Sequence, residues 1–159
     1  MKPFFALVVL CICAFNSLFA QIFKPTHWKF ESKRINSTEF YLIATVKLDT
    51  GWYIYSQFIK GDGPNPTTFT FKQSAQYELV GNTVESSDYT IFKLDEIFNM
   101  NTVRFSNEVK FTQHIKLKKT VAQILGTVLF FTRTDKLAIP PDEKDFQYRL
   151  KTSSDVSKD

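Results

Sequence analysis

Few residues of this sequence are able to do more than pack. Two cysteines, Cys11 and Cys13, two histidines, His27 and His114, and two adjacent carboxylate pairs, Asp95-Glu96 and Asp142-Glu143, are the ones whose chemistry needs weighing first. A close cysteine pair points to thiol–disulfide exchange or to a soft-metal site, because the thiolate is both nucleophile and ligand. Here both cysteines fall inside a stretch with the pattern of a secretory signal. Lys2 gives the charged start, Phe4 to Phe15 the apolar centre, and Ala20 the small residue before a cut. Cleavage there leaves a mature chain without cysteine, and excludes disulfide catalysis, cysteine-protease chemistry, thiolate metal sites and iron–sulfur clusters for it.

The other candidates are thin. Neither histidine has a second histidine or a cysteine near it in sequence, and His114 lies on the expected solvent face of a strand. There is no G-x-S-x-G, no glycine-rich phosphate loop and no H-E-x-x-H. Adjacent carboxylates on a strand point to opposite faces, so neither pair makes an acid and a base by itself. No metal and no cofactor is expected. The net charge of +4, from 20 basic against 16 acidic residues, is slight, and the basic residues are interleaved with acidic ones. That is not the stripe that nucleic acid requires. No second long apolar run follows the signal, so the processed chain is expected not to span a membrane and to be periplasmic or secreted.

The elements that must position any site read as strands. Val109, Phe111, Ile115 and Leu117 alternate with Lys110, Thr112, His114 and Lys116, and Phe40, Leu42, Ala44, Val46 and Leu48 repeat the same period of two. Gln113 is the one polar residue on the inward face of its strand. Further strands are expected at 27–33, 52–55, 67–71, 76–80, 103–105, 120–131 and around Phe146, Tyr148 and Leu150. Turn signals separate them at Asn36-Ser37, Asp49-Thr50-Gly51, Lys60 to Pro66, Gly81-Asn82, Ser106-Asn107 and Pro140-Pro141-Asp142. The expectation is an all-β chain: a signal over 1–20, one sandwich of about seven to nine antiparallel strands over 21–151, and a disordered polar tail over 152–159.

Three aromatic-rich stretches stand out from this background. In Gly51-Trp52-Tyr53-Ile54-Tyr55-Ser56, alternate side chains leave the sheet on opposite faces, so four large residues in a row cannot share one core. Trp52 and Ile54 are expected inside. Tyr53 and Tyr55 then either cover a sheet edge or loop, or line a binding surface. The second stretch runs from Phe92 to Met100, the third from Phe130 to Pro141.

In order along the chain, Gly51 to Gln57, Gly63-Pro64-Asn65-Pro66-Thr67, Asp95-Glu96-Ile97-Phe98, Phe111-Thr112-Gln113, and Gly126 through Pro140-Pro141 resemble the N-terminal periplasmic domain of the thiol–disulfide interchange protein DsbD, in its Bacteroidetes-like version. The resemblance covers nearly all of residues 22 to 150. It implies an immunoglobulin-like β-sandwich outside the cytoplasm, passing electrons to thioredoxin-like partners through a cysteine pair shielded by a cap loop. Carried over, the cap is Asp95 to Met100, with Glu96 in it and Phe98 or Ile97 as its covering side chain, and Tyr53 and Tyr55 flank the site. The cysteine positions fall on Arg133 and Ala138, which offer no sulfur to thiolate attack or to a mixed disulfide. Arg133 instead brings a permanent cation that needs a carboxylate, for which Asp95, Glu96 and Asp135 are candidates. The resemblance thus implies a non-catalytic protein-binding module, not an enzyme, whose partner is a periplasmic or envelope protein of the thioredoxin-like kind. The alternatives are an accessory of a thiol–disulfide reductase system and a sandwich that binds a small ligand or glycan on its aromatics.

Intact-mass measurement of the secreted chain should show loss of the segment through Ala20 and no addition from a thiol-reactive maleimide. One or two additions would place Cys11 or Cys13 in the mature protein and restore thiol chemistry.

Overall fold

The computed structural model describes residues 24–152. The expected signal with its two cysteines lies outside them, as does the expected tail apart from Thr152, whose N–H donates to the Thr120 carbonyl at 2.8 Å. The described residues form ten strands and no helix: β1 (Thr26–Arg34), β2 (Glu39–Leu48), β3 (Tyr53–Tyr55), β4 (Thr68–Phe71), β5 (Tyr77–Ser86), β6 (Thr90–Asp95), β7 (Met100–Ser106), β8 (Glu108–Leu117), β9 (Val121–Arg133) and β10 (Ala138–Lys151). One sheet has the order β1-β2-β8-β5. The other runs β10-β9-β3-β7-β6, with β4 also paired to β9. All pairings are antiparallel, and the two sheets pack as the expected immunoglobulin-like sandwich.

The alternation seen in sequence is what closes it. Phe40, Leu42, Ala44, Val46 and Leu48 of β2 and Val109, Phe111, Ile115 and Leu117 of β8 all point into the space between the sheets and are buried. They meet Ile54, Phe105, Val128 and Phe130 in one cluster, and Ile124, Phe146, Tyr148 and Leu150 in another. Each large side chain so placed contributes about 1.5–3 kcal/mol relative to staying in water.

Ten strands exceed the expected seven to nine for identifiable reasons. β6 mixes Ile91, Phe92 and Leu94 with Lys93 and lies on a sheet edge, so its pattern lacks the clean alternation of a half-buried strand. β5 runs straight through the turn signal Gly81-Asn82, and β10 through Pro140-Pro141-Asp142. In both places the register slips, between Val80 and Val84 and between Ile139 and Asp142. A bulge on an edge strand absorbs the residues that would otherwise end the strand: Gly81 takes φ +67°, and the prolines, which have no N–H to give, fall where β9 makes no pair. Buried Gln113 serves the first bulge. Its amide donates to the Gly81 carbonyl at 3.2 Å and to the His114 carbonyl at 2.8 Å, while its oxygen accepts from the Thr83 hydroxyl at 2.8 Å.

The tightest backbone approach is at Gly126 in β9. A side-chain carbon there would run into the Thr70 carbonyl on one side and the Phe146 ring on the other. Gly126→Ala should therefore lower stability by about 2–3 kcal/mol in urea unfolding, whereas Val121→Ala, at a half-exposed position of the same strand, should stay within about 0.5 kcal/mol. Equal effects would show that β9 has room to move.

Candidate functional site

Register places the site. β3 is only three residues long and sits in the middle of its sheet, with Tyr53 opposite both Ser106 and Arg133, Ile54 opposite Phe105 and Thr132, and Tyr55 opposite Arg104. Directly opposed residues project from the same face. Ile54, Phe105 and Thr132 face the core, so Tyr53, Tyr55, Arg104 and Arg133 must all leave by the outer face. At the end of the β9–β10 hairpin Arg133 opposes Ala138, and at the end of the β6–β7 hairpin Asp95 opposes Met100. Two hairpin tips and the centre of the sheet thus meet on one outer surface.

That surface is covered rather than open. Tyr53 is 5% exposed and Tyr55 0%, so of the expected placements the sheet edge gives way to burial on a central strand. Tyr55 stacks on Phe131, with centroids 5.7 Å apart, and meets Tyr53 edge to face. The segment between β3 and β4 folds over it. The Thr67 hydroxyl donates to the Tyr55 carbonyl at 2.6 Å, and Ser56 is tied to Glu85. Gly63 lies so close to Met100 that a side-chain carbon there would touch its sulfur.

Asp95 is the centre of the cluster. It is 3% exposed. One carboxylate oxygen accepts from the Tyr55 hydroxyl at 2.5 Å; the other accepts from the Ile97 N–H at 3.1 Å and faces Nη1 of Arg133 at 3.6 Å. The bond to Ile97 closes an Asx turn that shapes the cap, Glu96 to Asn99, which ends with Asn99 at φ +50°. Burial pushes the Asp95 carboxyl up, but the hydrogen bonds from Tyr55, Ile97 and Phe98 and the charge of Arg133 outweigh it and hold the group below the usual carboxylate range. Burial, then the bond to Asp95, push the Tyr55 hydroxyl far above its ordinary value. The two groups are displaced from neutrality in opposite directions, so the proton stays on Tyr55 and the pair holds it in place.

The second cation is Arg104, which the sequence did not single out. It is 5% exposed, its guanidinium carbon lies 4.1 Å from the centre of the Tyr53 ring, and its Nη2 is 3.7 Å from Asp135. Tyr53 is itself raised above its ordinary value by burial, which the charges of Arg104 and Arg133 only partly offset. Its hydroxyl and Nε of Arg133 both donate to the Thr134 carbonyl, at 3.5 and 3.1 Å. Between the cap and the β9–β10 tip opens a cleft of about 300 Å³, lined by Tyr53, Lys93, Leu94, Asp95, Glu96, Ile97, Arg104, Arg133 and Asp135.

Of the residues named from sequence, Tyr53, Asp95, Glu96, Ile97 and Arg133 therefore meet at one cleft. Tyr55 lies beneath it and acts through Asp95. Phe98 is half-buried and does not line it, whereas Ile97 is 68% exposed; Ala138 faces Arg133 across the hairpin but is exposed. The carboxylate that Arg133 needs is Asp95, while Asp135 goes to Arg104. Arg104 escaped notice because alternation in Val103-Arg104-Phe105 marks it as the wet side of a strand. Only the pairing with Tyr55 shows that this side is covered. Neither histidine is near the cleft: His27 pairs with Asp49 at 2.8 Å and His114 with Glu39 at 3.0 Å.

No protein-family model and no curated protein sequence matches the chain. Among solved structures it is similar to the N-terminal periplasmic domain of ScsB from Proteus mirabilis, with a TM-score of 0.57 and 16% identity over 84% of this chain and 49% of that one. The fold is shared with the N-terminal domains of ScsB and DsbD. For DsbD of Neisseria meningitidis, the reduced N-terminal domain gives a TM-score of 0.51 at 12% identity, covering 79% of this chain and 90% of that chain. The DsbD N-terminal domain in complex with the PilB N-terminal domain, from the same organism, gives 0.51 at 12% identity, covering 80% and 87%. The present chain spans about half the length of the ScsB chain. Arg133 and Ala138 are register partners at the hairpin end. Residues 24–152 contain no cysteine, and no group of three or more metal-ligating side chains occurs among the described residues.

Because Asp95 is held below its ordinary value when folded, the stability it gives is fully present above about pH 4 and is lost as pH falls through its lower folded value. The urea midpoint should be flat near neutrality and drop below about pH 4. Asp95→Asn leaves Arg133 buried without its counter-charge and should cost about 3–5 kcal/mol at pH 7, with a shallower acid limb than wild type. An unchanged acid limb in this variant would assign the loss to other carboxylates.

Proposed function

We propose that this chain is a non-catalytic protein-docking module acting in the periplasm or outside the cell, which engages a protein partner at the cleft between the cap and the β9–β10 tip. One observation carries this most directly: exposed apolar side chains stand at the rim of that cleft, among the charged Lys93, Glu96 and Asp135, over a floor that is buried. Ile97 and Leu94 of the rim are 68% and 48% exposed, and Leu137, on the hairpin whose base lines the cleft, is 64% exposed. Exposed apolar side chains grouped on one surface beside polar ones mark a site of protein interaction. The likeness to a DsbD N-terminal domain held in complex with a PilB domain supports a partner of that general kind, and the periplasmic origin of the similar structures supports the compartment.

The module is read as lacking thiol exchange because the resemblance carries the family's cysteine positions onto Arg133 and Ala138. A guanidinium locked to Asp95 can neither attack a disulfide nor leave as a thiolate. What it can do is fix the hairpin against the cap, so that the docking surface is rigid before a partner arrives and less ordering entropy is lost on binding. The glycan reading loses its main support with the burial of Tyr53 and Tyr55.

Capture from periplasmic extract on immobilised full-length protein, compared with a variant carrying Ile97→Asp and Leu137→Asp, tests the idea. Both sites are exposed, so the variant should fold. The proposal expects a protein retained by wild type and reduced at least about tenfold by the variant. Equal recovery on both columns, or none on either, would sink it.

A further inference from the structure

We infer that the cleft is a carboxylate-recognition site, in which an Asp or Glu side chain of the docked protein displaces Asp135 and seats on Arg104. The inference deepens the docking proposal and rests on it. Among the described residues the buried charged side chains are Asp95, Arg104 and Arg133, two cations against one anion. Asp95 accepts hydrogen bonds from Tyr55 and from the Ile97 N–H, and its ion pair, at 3.6 Å, is with Arg133. Nothing in the buried set answers Arg104.

The answer comes from outside. Asp135 stands at the hairpin tip, 71% exposed, and its oxygen is 3.7 Å from Nη2 of Arg104, too long for a hydrogen bond. Nε of Arg104 is buried without a partner. Nε–H and Nη2–H share one edge of the guanidinium, the edge on which a carboxylate forms two parallel bonds. The guanidinium carbon lies over the Tyr53 ring at 4.1 Å, so the group is held on one side while Nε stays buried and unpaired, and an acceptor reaches that edge only by taking the place of Asp135 at Nη2. The cleft as a whole is balanced, Lys93, Arg104 and Arg133 against Asp95, Glu96 and Asp135, so an incoming acid gains by replacing the loose Asp135 with a carboxylate that comes closer to Arg104 than 3.7 Å. Leu94 and Ile97 at the rim supply apolar contact to the chain that carries the acid, which favours a peptide over a free ion. Asp135 then acts as an internal stand-in that keeps Arg104 oriented while the cleft is empty of a partner.

The test uses the full-length chain, with the Nε–Hε resonance of Arg104 followed by NMR during titration with an acetylated and amidated Leu-Asp-Leu peptide, its Leu-Asn-Leu counterpart, and sodium acetate. The Asp peptide should shift the resonance and the Asn peptide should not. Asp135→Asn, at a site 71% exposed, should tighten the Asp peptide about fivefold by removing the competitor. Arg104→Lys, which keeps the charge and loses the fork, should weaken it at least about tenfold. Unchanged or weaker binding in Asp135→Asn overturns the inference, as does a resonance that the Asp peptide leaves in place. Acetate matching the peptide at equal concentration overturns the peptide as source. If capture of the protein partner survives Arg104→Lys but fails with the rim variant, the docking proposal stands and this one falls.

Discussion

A single buried carboxylate ties together the parts of this molecule that are far apart in sequence. Asp95 receives the Tyr55 hydroxyl from the middle of the sheet, the Ile97 N–H from its own turn, and the charge of Arg133 from another hairpin. Each tie alone is ordinary. Together they over-determine one geometry, since any shift of the cap relative to the β9–β10 tip separates a charge pair whose members are nearly buried at the floor of the cleft. Burial makes the arrangement costly to disrupt, and the hydrogen bonds make it tolerable to form. The three-residue length of β3 fits this role. It is long enough to present Tyr53 and Tyr55 on one face and Ile54 on the other, and its ends release the chain at once into the segment that covers them.

The same geometry explains how a fold shared with ScsB and DsbD N-terminal domains accommodates a large cation at the hairpin end. Arg133 does not fill the space as an isolated charge. It lies along the sheet, gives Nε to the Thr134 carbonyl, and turns one Nη toward Asp95. Arg104, two strands away, lies over the Tyr53 ring and pairs at 3.7 Å with Asp135, which is exposed where Asp95 is buried. The floor is therefore built from two guanidinium groups stabilised in different ways, and the difference leaves one of them with an unused bonding edge.

Much of the framework is legible in the amino-acid order. Period-two alternation in β2 and β8 reports a strand with one wet face, and Gly51, with φ +84°, and Asn107, with φ +56°, mark turns the sequence signals. The outer face of the six-stranded sheet is legible only in part. Four large residues from Trp52 to Tyr55 announce two covered faces, but what covers the second depends on a long excursion, 56–67, whose path no local pattern encodes. Arg133 announces its need for an acid, and the choice of Asp95 over Asp135 follows from hairpin register. Arg104 is hidden altogether, because a lone arginine between Val103 and Phe105 has the same local signature whether its face meets water or a tyrosine ring.

The bulge that carries Pro140 and Pro141 has an effect beyond letting β10 continue. Of any two consecutive strand residues, one directs its N–H away from the sheet, so a proline pair on an edge strand erases a donor that a further strand would need. One border of the six-stranded sheet is thereby capped against growth, while β6 forms the other. The two margins therefore differ: a further strand laid along β10 would miss a ladder bond at the prolines, whereas β6 presents exposed Phe92 and Leu94 at the opposite border.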